Sequence, residues 1–536
     1  MERRLFREAR DWQALRDGFS WNIPAQMNIA ALCCDDWARA DPDRVAVIHR
    51  GGDGARQVWT YGQMKRASDG LAVALSAKGV GAGDRVAILL AQHPHALITH
   101  FAAMKLGAVS LPLFTLFGED ALRYRLADSG ARALGTDPAN LDRVLALCPD
   151  LPGLEVVIST GAAKPPVLSL PDLIGTPARG FQPVATGADD PAMMIYTSGT
   201  TGDPKGVLHA HRFLIGHLPC TELTQSRFPR PGDIGGTPAD WAWIGGLMDM
   251  AMPCLYYGVP LVSHRFAKFD PDAAFALLVE EGVSNAFIPP TGLRLMRGAR
   301  LPQGVRLRAV SSGGEPLGGD LLDWGRETLR ADLGELYGQT EANLLVASSV
   351  IGMERHPGAM GLPVPGHDVA VLEAEGNEAG TGEVGEVCLR MPDPVAFMGY
   401  WNKPEATAEK VRDGWLRTGD LATRRSDGHL VFHARDDDVI TSAGYRIGPS
   451  EIEAALLRHP DVVMAAVVGE PDPIRTEIVV AHVVLRDGAD GAGIQAALKD
   501  LVRARVSAHL VPRKVVLADS LPMTATGKIM RRALRK

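Results

Sequence analysis

The chain has 536 residues, of which 46% are hydrophobic and 22% are charged. This composition excludes a disordered, collagenous or coiled-coil chain, and the length excludes a single small binding module. The 56 basic and 63 acidic side chains leave a net charge of −7, which provides no overall attraction for nucleic acid or for anionic membranes. We therefore expect a folded protein that has no nucleic-acid partner.

Cysteine usage and hydropathy bear on the compartment. The six cysteines are scattered, with no C-x-x-C pair, which indicates a reducing environment and favours the cytoplasm. Residues 241–263 have the length of a membrane span, but Asp249, Pro253 and Pro260 lie inside this stretch. A charge is costly inside a bilayer, and two prolines would break the helix. We expect a buried helix followed by a strand, with an integral membrane span as the less favoured alternative.

The first 430 residues alternate helical stretches, such as residues 61–78, with short apolar runs, such as residues 85–90. This alternation predicts an α/β fold of several subdomains with mainly parallel sheets. A charged run near residue 434 is followed by a new small unit. We predict a large N-terminal domain at residues 1–433, a hinge at 434–437 and a small mobile α+β domain at 438–536. The predicted elements of the small domain are helices at 449–458 and 494–506 and apolar runs at 462–468 and 478–485.

Residues 196–206 read YTSGTTGDPKG and follow an apolar run. The glycines let backbone N–H groups approach phosphate oxygens, the hydroxyl side chains add donors, and Lys205 adds a point charge. The segment is not a Walker A motif, because Pro204 and Gly206 stand where that motif has Gly and Ser or Thr. We predict a strand, a polyphosphate-binding loop and a second strand. Taken alone, the same residues would also suit a flexible surface turn.

Five further segments follow this loop in order. They are GGEP at residues 313–316, YGQTE at 337–341, WLRTGD at 415–420, RDDDVITSAGYRIGPSEIE at 435–453 and PMTATGK at 522–528. With the loop, they resemble the ordered motifs of the adenylate-forming, AMP-binding superfamily. The resemblance begins near residue 40 and is greatest to its acyl-CoA synthetase branch, which includes acetyl-CoA and medium-chain acyl-CoA synthetases. It implies a large AMP-binding domain and a small mobile domain that carries a catalytic lysine.

The resemblance assigns roles to individual residues. It implies that Lys528, Glu341 and Thr340 are catalytic, that Glu341 binds Mg²⁺, and that Lys528 stabilises charge at the attacked phosphorus. Asp420 and Arg435 would reach the ribose. The implied ATP- and AMP-binding residues are Thr197, Ser198, Gly199, Thr200, Thr201, Gly202, Lys205, Gly314, Glu315, Pro316, Glu335, Leu336, Tyr337, Gly338, Gln339, Asp420, Arg435 and Arg446. Of these, Tyr337 would stack on adenine and Arg446 would pair with phosphate.

The chemistry of acid activation agrees with these roles. A carboxylate is a poor electrophile, so forming a thioester from it first requires a good leaving group, which AMP from ATP provides. Attack on the α-phosphate spreads negative charge over oxygens that need cations and fixed donors. The resemblance further implies that the small domain rotates about Asp437 between the two steps, after which Gly444 and Tyr445 line the path of coenzyme A.

Two positions bear on the choice of acid. The acetate-using branch carries a Trp immediately before Gln-Thr-Glu, where this chain has Gly338. Loss of an indole opens space, and each buried methylene is worth about 0.8 kcal/mol of binding. Trp243 aligns with the aromatic wall of the acyl pocket in related synthetases, although a Trp here could also belong to the core. We expect a short-branched, medium-chain or aromatic monocarboxylic acid, with acetate as a poor substrate.

The sequence thus predicts an ATP-dependent acid:CoA ligase that forms acyl-AMP and pyrophosphate, then the CoA thioester and AMP. Its cofactors would be ATP, Mg²⁺ and coenzyme A, and the sequence leaves the oligomeric state open. One alternative is transfer of the acyl adenylate to a carrier-protein thiol. Another is a non-catalytic nucleotide-binding homologue, which would be expected to have lost Lys528, Glu341 or Asp420. The His93-x-His95 and His209-x-His211 pairs imitate metal-ligand spacing but lack further ligands nearby, so no metal is expected there.

Overall fold

The structure is a computed structural model that describes residues 3–6, 11–161, 163–197, 203–435, 438–442, 445–472, 475–489, 491, 493–507, 510–524 and 528–535. Four sheets organise this part of the chain. Three of them are built from residues 45–435, and the fourth is built from residues 440–517. The predicted α/β class with a smaller C-terminal α+β unit is confirmed.

The first sheet carries the predicted phosphate loop. Its eight strands are, in spatial order, Gly399–Tyr400, Lys205–Ala210, Pro191–Thr197, Val109–Pro112, Arg85–Leu89, Ala133–Thr136, Val156–Ser159 and Leu168–Ser169. The strands from Pro191–Thr197 to Leu168–Ser169 are parallel to one another. Pro191–Thr197 and Lys205–Ala210 are antiparallel, so the loop that joins them closes a hairpin.

The second sheet carries two of the motif segments at the ends of its strands. Its nine strands are, in order, Leu362–Pro363, Val346–Ala347, Asp332–Tyr337, Ala309–Gly313, Asn285–Phe287, Gly235–Gly236, Leu261–His264, Val45–Arg50 and Arg56–Thr60. The six strands from Asp332–Tyr337 to Val45–Arg50 are parallel. Ligands of such sheets bind beyond the carboxyl ends of the strands, where Gly314 and Gly338 emerge from neighbouring strands.

The third sheet departs from the predicted parallel arrangement. Its strands are Val369–Leu372, Val384–Arg390, Val411–Arg412, Trp415–Arg424 and Leu430–Arg435, and all pairs are antiparallel. A turn of residues 425–429 joins the last two strands, and a turn this short cannot make the crossover that parallel strands require. The register places Asp420 directly opposite Arg435.

The small C-terminal unit has its own sheet and core. Strands Val462–Asp472 and Thr476–Leu485 form a long antiparallel pair, and Lys514–Leu517 adds to it in parallel. Strands Ile440–Ser442 and Tyr445–Ile447 complete the sheet, beside helices Pro449–Leu456 and Ile494–Arg505. Its buried apolar residues, from Ile440 to Val515, form a cluster separate from the one that spans the three preceding sheets.

A local sequence signal accounts for the start of the helix at residues 61–77. The Thr60 side chain accepts the Gln63 N–H and the Gln63 side chain accepts the Thr60 N–H, a capping box that begins the predicted first long helix. The other α-helices of residues 1–435 are Trp12–Asp17, Asp36–Ala40, Pro94–Lys105, Glu119–Ser129, Pro138–Leu147, Leu170–Leu173, Phe213–Thr224, Ile244–Gly246, Met252–Tyr257, Pro271–Glu280, Pro290–Gly298, Gly319–Trp324 and Pro404–Lys410; the capped helix is Tyr61–Ala77.

Residues 241–263 form the predicted buried helix and strand. Helix Ile244–Gly246 continues through a π-helical turn, Leu247–Ala251, into helix Met252–Tyr257, and strand Leu261–His264 follows. These helices are buried in the main core. Within the described ranges, no helix has the length and apolarity that a bilayer crossing requires.

Candidate active site

The strands on either side of the predicted phosphate loop are paired with each other. Thr197 ends one strand, Lys205 begins the next, and the two residues are paired in the register. Lys205 Nζ lies 4.9 Å from the centre of the Tyr400 ring, a cation–π contact that orients the ammonium at the base of the loop. The predicted phosphate ligands Ser198, Gly199, Thr200, Thr201 and Gly202 lie outside the described residues.

Glu341 is held in place from two directions. Its Oε1 accepts a hydrogen bond from Tyr400 Oη at 2.6 Å, and its backbone carbonyl accepts the Phe397 N–H at 2.8 Å. Mg²⁺ is usually bound by one or two carboxylates together with substrate phosphates. A fixed, buried carboxylate next to the lysine of the phosphate hairpin fits such an ion, and half-buried Thr340 precedes it.

Tyr400 is a site residue that the sequence motifs did not reveal. It contacts both Lys205 and Glu341, and its strand pairs with Lys205–Ala210, placing Tyr400 opposite Val207. Burial and the adjacent Glu341 carboxylate raise the pKa of Tyr400 above its usual value, so the phenol stays a hydrogen-bond donor. Only the pairing of distant strands brings Tyr400 here, so a reading of local sequence does not identify it.

Asp420 is the centre of a hydrogen-bonded group at the predicted ribose end. Its Oδ2 accepts Tyr337 Oη at 2.7 Å and Gln339 Nε2 at 2.6 Å, and Arg435 is its partner across the strand pair. Burial raises the pKa of Asp420, against the lowering effect of Arg435. The structure therefore brings together four of the predicted nucleotide residues.

Lys410 joins this group and was not predicted. It ends helix Pro404–Lys410, and its Nζ donates to Gln339 Oε1 at 3.2 Å and to the Thr418 carbonyl at 3.0 Å. Burial lowers the pKa of Lys410, while the carboxylates of Glu341 and Asp420 oppose that change. Lys410 adds positive charge between these two carboxylates, and its sequence context is that of an ordinary helix-terminal lysine.

Lys528 reaches this region from the small domain. A Cβ placed on Gly314 would lie 3.4 Å from Lys528 Cε and 3.1 Å from Cζ2 of Trp243, so the lysine, the Gly314 turn and Trp243 meet at one point. Lys528 is exposed as a residue, yet desolvation by the surrounding protein lowers the pKa of Lys528, against the attraction of Glu315. Gly314 has φ +93°, a conformation that glycine adopts without strain.

Two side chains form hydrogen bonds to the backbone of the turn after Gly314. Arg294 contacts the Glu315 carboxylate at 3.2 Å and donates to the Pro316 carbonyl at 3.2 Å. Glu335 Oε1 accepts the Leu317 N–H at 3.2 Å, and burial raises the pKa of Glu335 to about 7. Leu336, also predicted for the nucleotide site, is buried in the main core. Glu335 therefore supports the backbone of the turn.

Trp243 and Gly338 delimit the predicted acyl pocket. Trp243 packs against Phe287 with ring centres 5.4 Å apart, and it is only partly buried. A Cβ placed on Gly338 would lie 2.8 Å from Asn343 Cα and would also contact Leu344 N. The backbone turn of residues 342–344 therefore occupies the space beside Gly338, and this turn limits the room that the missing indole was expected to open.

A buried polar cluster adjoins that turn. Asn343 Nδ2 lies 2.6 Å from Asp249 Oδ1 and 3.0 Å from His217 Nε2. Burial lowers the pKa of His217 to about 3, so the ring is neutral, its Nδ1–H donates to the Phe213 carbonyl at 2.7 Å, and Nε2 accepts from Asn343. Burial raises the pKa of Asp249 well above its usual range. No sequence motif indicated this cluster.

Other predicted residues lie at the limits of the description. Asp437 and Gly444 lie outside the described residues. Tyr445 and Arg446 are described only by their backbone, in strand Tyr445–Ile447, where Arg446 pairs with Thr441. The predicted hinge and the predicted coenzyme A path therefore stay predictions.

Residues 34–401 match the model of the family described as AMP-binding enzyme, and residues 451–528 match that of the AMP-binding enzyme C-terminal domain. The chain belongs to the AMP-binding enzyme family. The predicted family and its acyl-CoA synthetase branch are confirmed, because the similar proteins of this family include acyl-CoA synthetases.

Among these AMP-binding relatives, the mitochondrial acyl-coenzyme A synthetase ACSM4 of Rattus norvegicus is 32% identical, and the match covers 96% of this chain and 91% of that protein. The acetyl-coenzyme A synthetase of Bacillus subtilis (strain 168) is 30% identical, with 98% and 93% covered. The solved anthranilate CoA ligase AuaEII, in complex with anthranoyl-AMP, is 25% identical with a TM-score of 0.87 over 96% of this chain and 97% of that one.

Proposed function

We propose that this AMP-binding enzyme is an ATP-dependent acid:CoA ligase that forms AMP and pyrophosphate. The observation that carries the proposal is the meeting of Lys528 with the Gly314 turn and Trp243. At this point the end of the Lys528 side chain approaches Gly314 of the predicted nucleotide site and Trp243 of the predicted acyl pocket. The acyl-CoA synthetases among the relatives support the same reaction.

In the first step an oxygen of the acid attacks the α-phosphorus of ATP. The new P–O bond gives acyl-AMP, and the bond to the β-phosphate breaks to release pyrophosphate. Negative charge develops on the phosphate oxygens and on the leaving group. Lys528 would stabilise the attacked phosphate and Lys205 the leaving pyrophosphate, while Asp420 holds the ribose. Bound Mg²⁺, held by Glu341, would supply further positive charge on the phosphates.

In the second step the thiol of coenzyme A loses its proton, its sulfur attacks the acyl carbon, and AMP leaves with the electron pair of the broken C–O bond. The proposed path of coenzyme A involves Gly444 and Tyr445. We further propose domains at residues 1–433 and 438–536, joined by a hinge at 434–437 that turns about Asp437 between the steps. The separate core of residues 440–515 supports a unit that moves as one body.

For the substrate we propose a short-branched, medium-chain or aromatic monocarboxylic acid. Gly338 keeps the region free of the indole expected in acetate enzymes, and the Trp243 and Phe287 rings offer an apolar wall. The turn of residues 342–344 beside Gly338 makes a moderate-sized acid more suitable than a long chain. Acetate would fill little of this wall, and each missing methylene removes about 0.8 kcal/mol of binding.

Pyrophosphate release should be measured with ATP and Mg²⁺ over a panel of acids from acetate to octanoate, with branched and aromatic acids, with and without coenzyme A. We expect release that increases with coenzyme A and is greatest for an acid larger than acetate. Pyrophosphate release that does not depend on coenzyme A would favour a carrier-protein thiol as acceptor. The absence of release with every acid would contradict the proposed ligase and favour a non-catalytic nucleotide-binding role.

A further inference from the structure

A cluster of two histidines and one aspartate lies where a loop meets the turn of residues 425–429. His356 Nε2 lies 2.9 Å from Asp427 Oδ2, and His429 Nδ1 lies 3.2 Å from Asp427 Oδ1. One ligand atom from each of the three side chains lies within 4.8 Å of the other two. The cluster lies at the turn end of the strand pair Trp415–Arg424 and Leu430–Arg435. Asp420 and Arg435 are paired toward the opposite end.

The burial of His429 distinguishes this cluster from an exposed ion pair. The His429 side chain is 4% exposed; within the described residues its Nε2 has no hydrogen-bond partner, and its Nδ1 faces Asp427 Oδ1 at 3.2 Å. Leaving a buried imidazole unsatisfied costs roughly 1–3 kcal/mol. A bound cation would satisfy the nitrogen that faces Asp427, because a neutral imidazole nitrogen is a metal ligand.

The backbone holds these ligands in place. The Met360 N–H donates to the Leu430 carbonyl at 2.8 Å, and the Leu430 N–H donates to the Gly361 carbonyl at 2.9 Å, joining the loop of His356 to the strand after His429. The His429 N–H donates to Asp427 Oδ1 at 3.1 Å, which orients the carboxylate. The site is therefore preformed by contacts that do not involve the histidine rings.

The spacing and ligand type agree with a transition-metal cation. Zinc binds His nitrogen and carboxylate oxygen at about 2.0–2.2 Å in a tetrahedron, which places neighbouring ligand atoms about 3.4 Å apart. His356 Nε2 and His429 Nδ1 face different oxygens of the Asp427 carboxylate, at 2.9 and 3.2 Å. One ligand atom from each side chain lies within 4.8 Å of the other two, so small side-chain movements would bring the three to the tetrahedral spacing. Mg²⁺ and Ca²⁺ prefer all-oxygen sites, so this site would not take the cation used with ATP.

We propose that His356, Asp427 and His429 form a structural site for a divalent cation of the zinc type, with solvent as the remaining ligand. The cation would fasten the loop of His356 to the strand pair that carries Asp420. Arg425 Nε also contacts Asp427 Oδ2 at 3.3 Å, but its side chain is 46% exposed, so it can turn into solvent when the cation binds.

Titration calorimetry with Zn²⁺ tests this site, using the full chain after chelator treatment and in excess Mg²⁺. We expect one zinc ion per chain that is lost, or weakened at least tenfold, in His356→Ala and His429→Gln. The matched control is His433→Ala, on the adjoining strand and outside the cluster, which should bind as the unaltered protein does. Arg425→Gln should bind zinc several times more tightly, because a competing cation is removed.

A thermal melt with and without Zn²⁺ gives a second readout. Ligand that binds the folded state raises the melting temperature, so zinc should raise it for the unaltered chain and His433→Ala but not for His356→Ala. His356 is partly exposed, so this variant should fold even where His429→Gln does not. The same zinc affinity in His356→Ala and His433→Ala, or no saturable binding by the unaltered chain, would overturn the proposal.

Discussion

On the nucleotide side of the candidate active site, Tyr337 and Gln339 both donate hydrogen bonds to Asp420. On the predicted acyl side, Trp243 contacts Phe287, and the turn of residues 342–344 is tied by Asn343 to buried groups of two other helices. The first set consists of motif residues from two short segments, 337–341 and 415–420. The second consists of residues that long-range packing brings together. We infer that the chemistry is set by the first side and the choice of acid by the second.

The largest expected effect is on the reaction itself. Lys528→Ala removes the ammonium at the meeting point of the two sides, and loss of one such stabilising group costs roughly 2.7–4 kcal/mol, or at least about a hundredfold in rate. Pyrophosphate release should fall by that factor with every acid, while the melting temperature is unchanged because Lys528 is exposed.

Lys514→Ala is the matched control for this change, since Lys514 is an exposed lysine of the same domain whose ammonium lies 3.5 Å from Glu470 Oε2. It should keep full activity. An equal loss in both variants, or a loss in Lys528→Ala for some acids only, would contradict the division between the two sides.

The Glu335→Gln variant tests whether Glu335 supports the turn after Gly314 and does not itself bind the nucleotide. Burial raises the pKa of Glu335 from 4.5 to about 7, so between these values the folded chain keeps a proton that the unfolded chain releases. The free energy of unfolding then falls as pH rises through this window, by up to about 3 kcal/mol. Glu335→Gln is always neutral and should melt like the unaltered protein at pH 5 but at a higher temperature at pH 8.

The measurement is the difference in melting temperature between the two proteins as a function of pH. A difference that grows between pH 5 and 7 supports a buried protonated carboxyl under the Gly314 turn. A difference that is constant with pH would contradict it. The KM for ATP should change little in the variant, because Gln can still accept the Leu317 N–H.

Tyr400→Phe tests the link between Lys205 and Glu341. The change removes the hydroxyl that donates to Glu341 Oε1 but keeps the ring over which Lys205 lies. A hydrogen bond to a charged group contributes roughly 1.5–3 kcal/mol. We expect a higher Mg²⁺ concentration for half-maximal pyrophosphate release, with the order of preferred acids unchanged. A changed order of acids, with unchanged Mg²⁺ dependence, would place Tyr400 on the acyl side.

Asn343→Ala is expected to act on the acyl side alone. It leaves Asp249 and His217 Nε2 without their shared partner, at a cost of roughly 1–2 kcal/mol in stability. The relative rates over the acid panel should change, while the KM for ATP stays the same within error. Gln13→Ala is the control, because Gln13 is an exposed amide that donates to Asp17 Oδ1. An altered KM for ATP without an altered order of preferred acids would contradict the assignment of Asn343 to the acyl side.

The two strands that flank the phosphate loop were predicted from an apolar run followed by glycines and hydroxyls, and the structure confirms them. Tyr337 and Asp420 were assigned to the nucleotide site by the resemblance; the structure brings their side chains together, and their roles stay predictions. Tyr400 and Lys410 escaped notice because strand pairing and a helix end bring them to the site from elsewhere. A tyrosine or lysine in such a place has no distinctive neighbours in the sequence.

The fold shows the same limit. The alternation of apolar runs and helices predicted mainly parallel sheets, and in the small domain it placed two helices and two long strands to within about four residues. It did not predict the antiparallel sheet of residues 369–435, because an apolar run has the same appearance in either direction of pairing. The short connection at residues 425–429 was the available signal for antiparallel pairing. Likewise, Gly338 indicated open space, but the backbone of residues 342–344, which no local pattern predicted, lies against it.

The most direct test of the central claim is to identify the products of one reaction. The protein should be mixed with ATP, Mg²⁺, coenzyme A and the best acid of the panel. The products should then be separated, and identified and quantified by mass spectrometry. The account predicts acyl-CoA, AMP and pyrophosphate in equal amounts, with acyl-AMP accumulating when coenzyme A is left out. Formation of ADP and phosphate, or of AMP without any acyl-CoA, would contradict it.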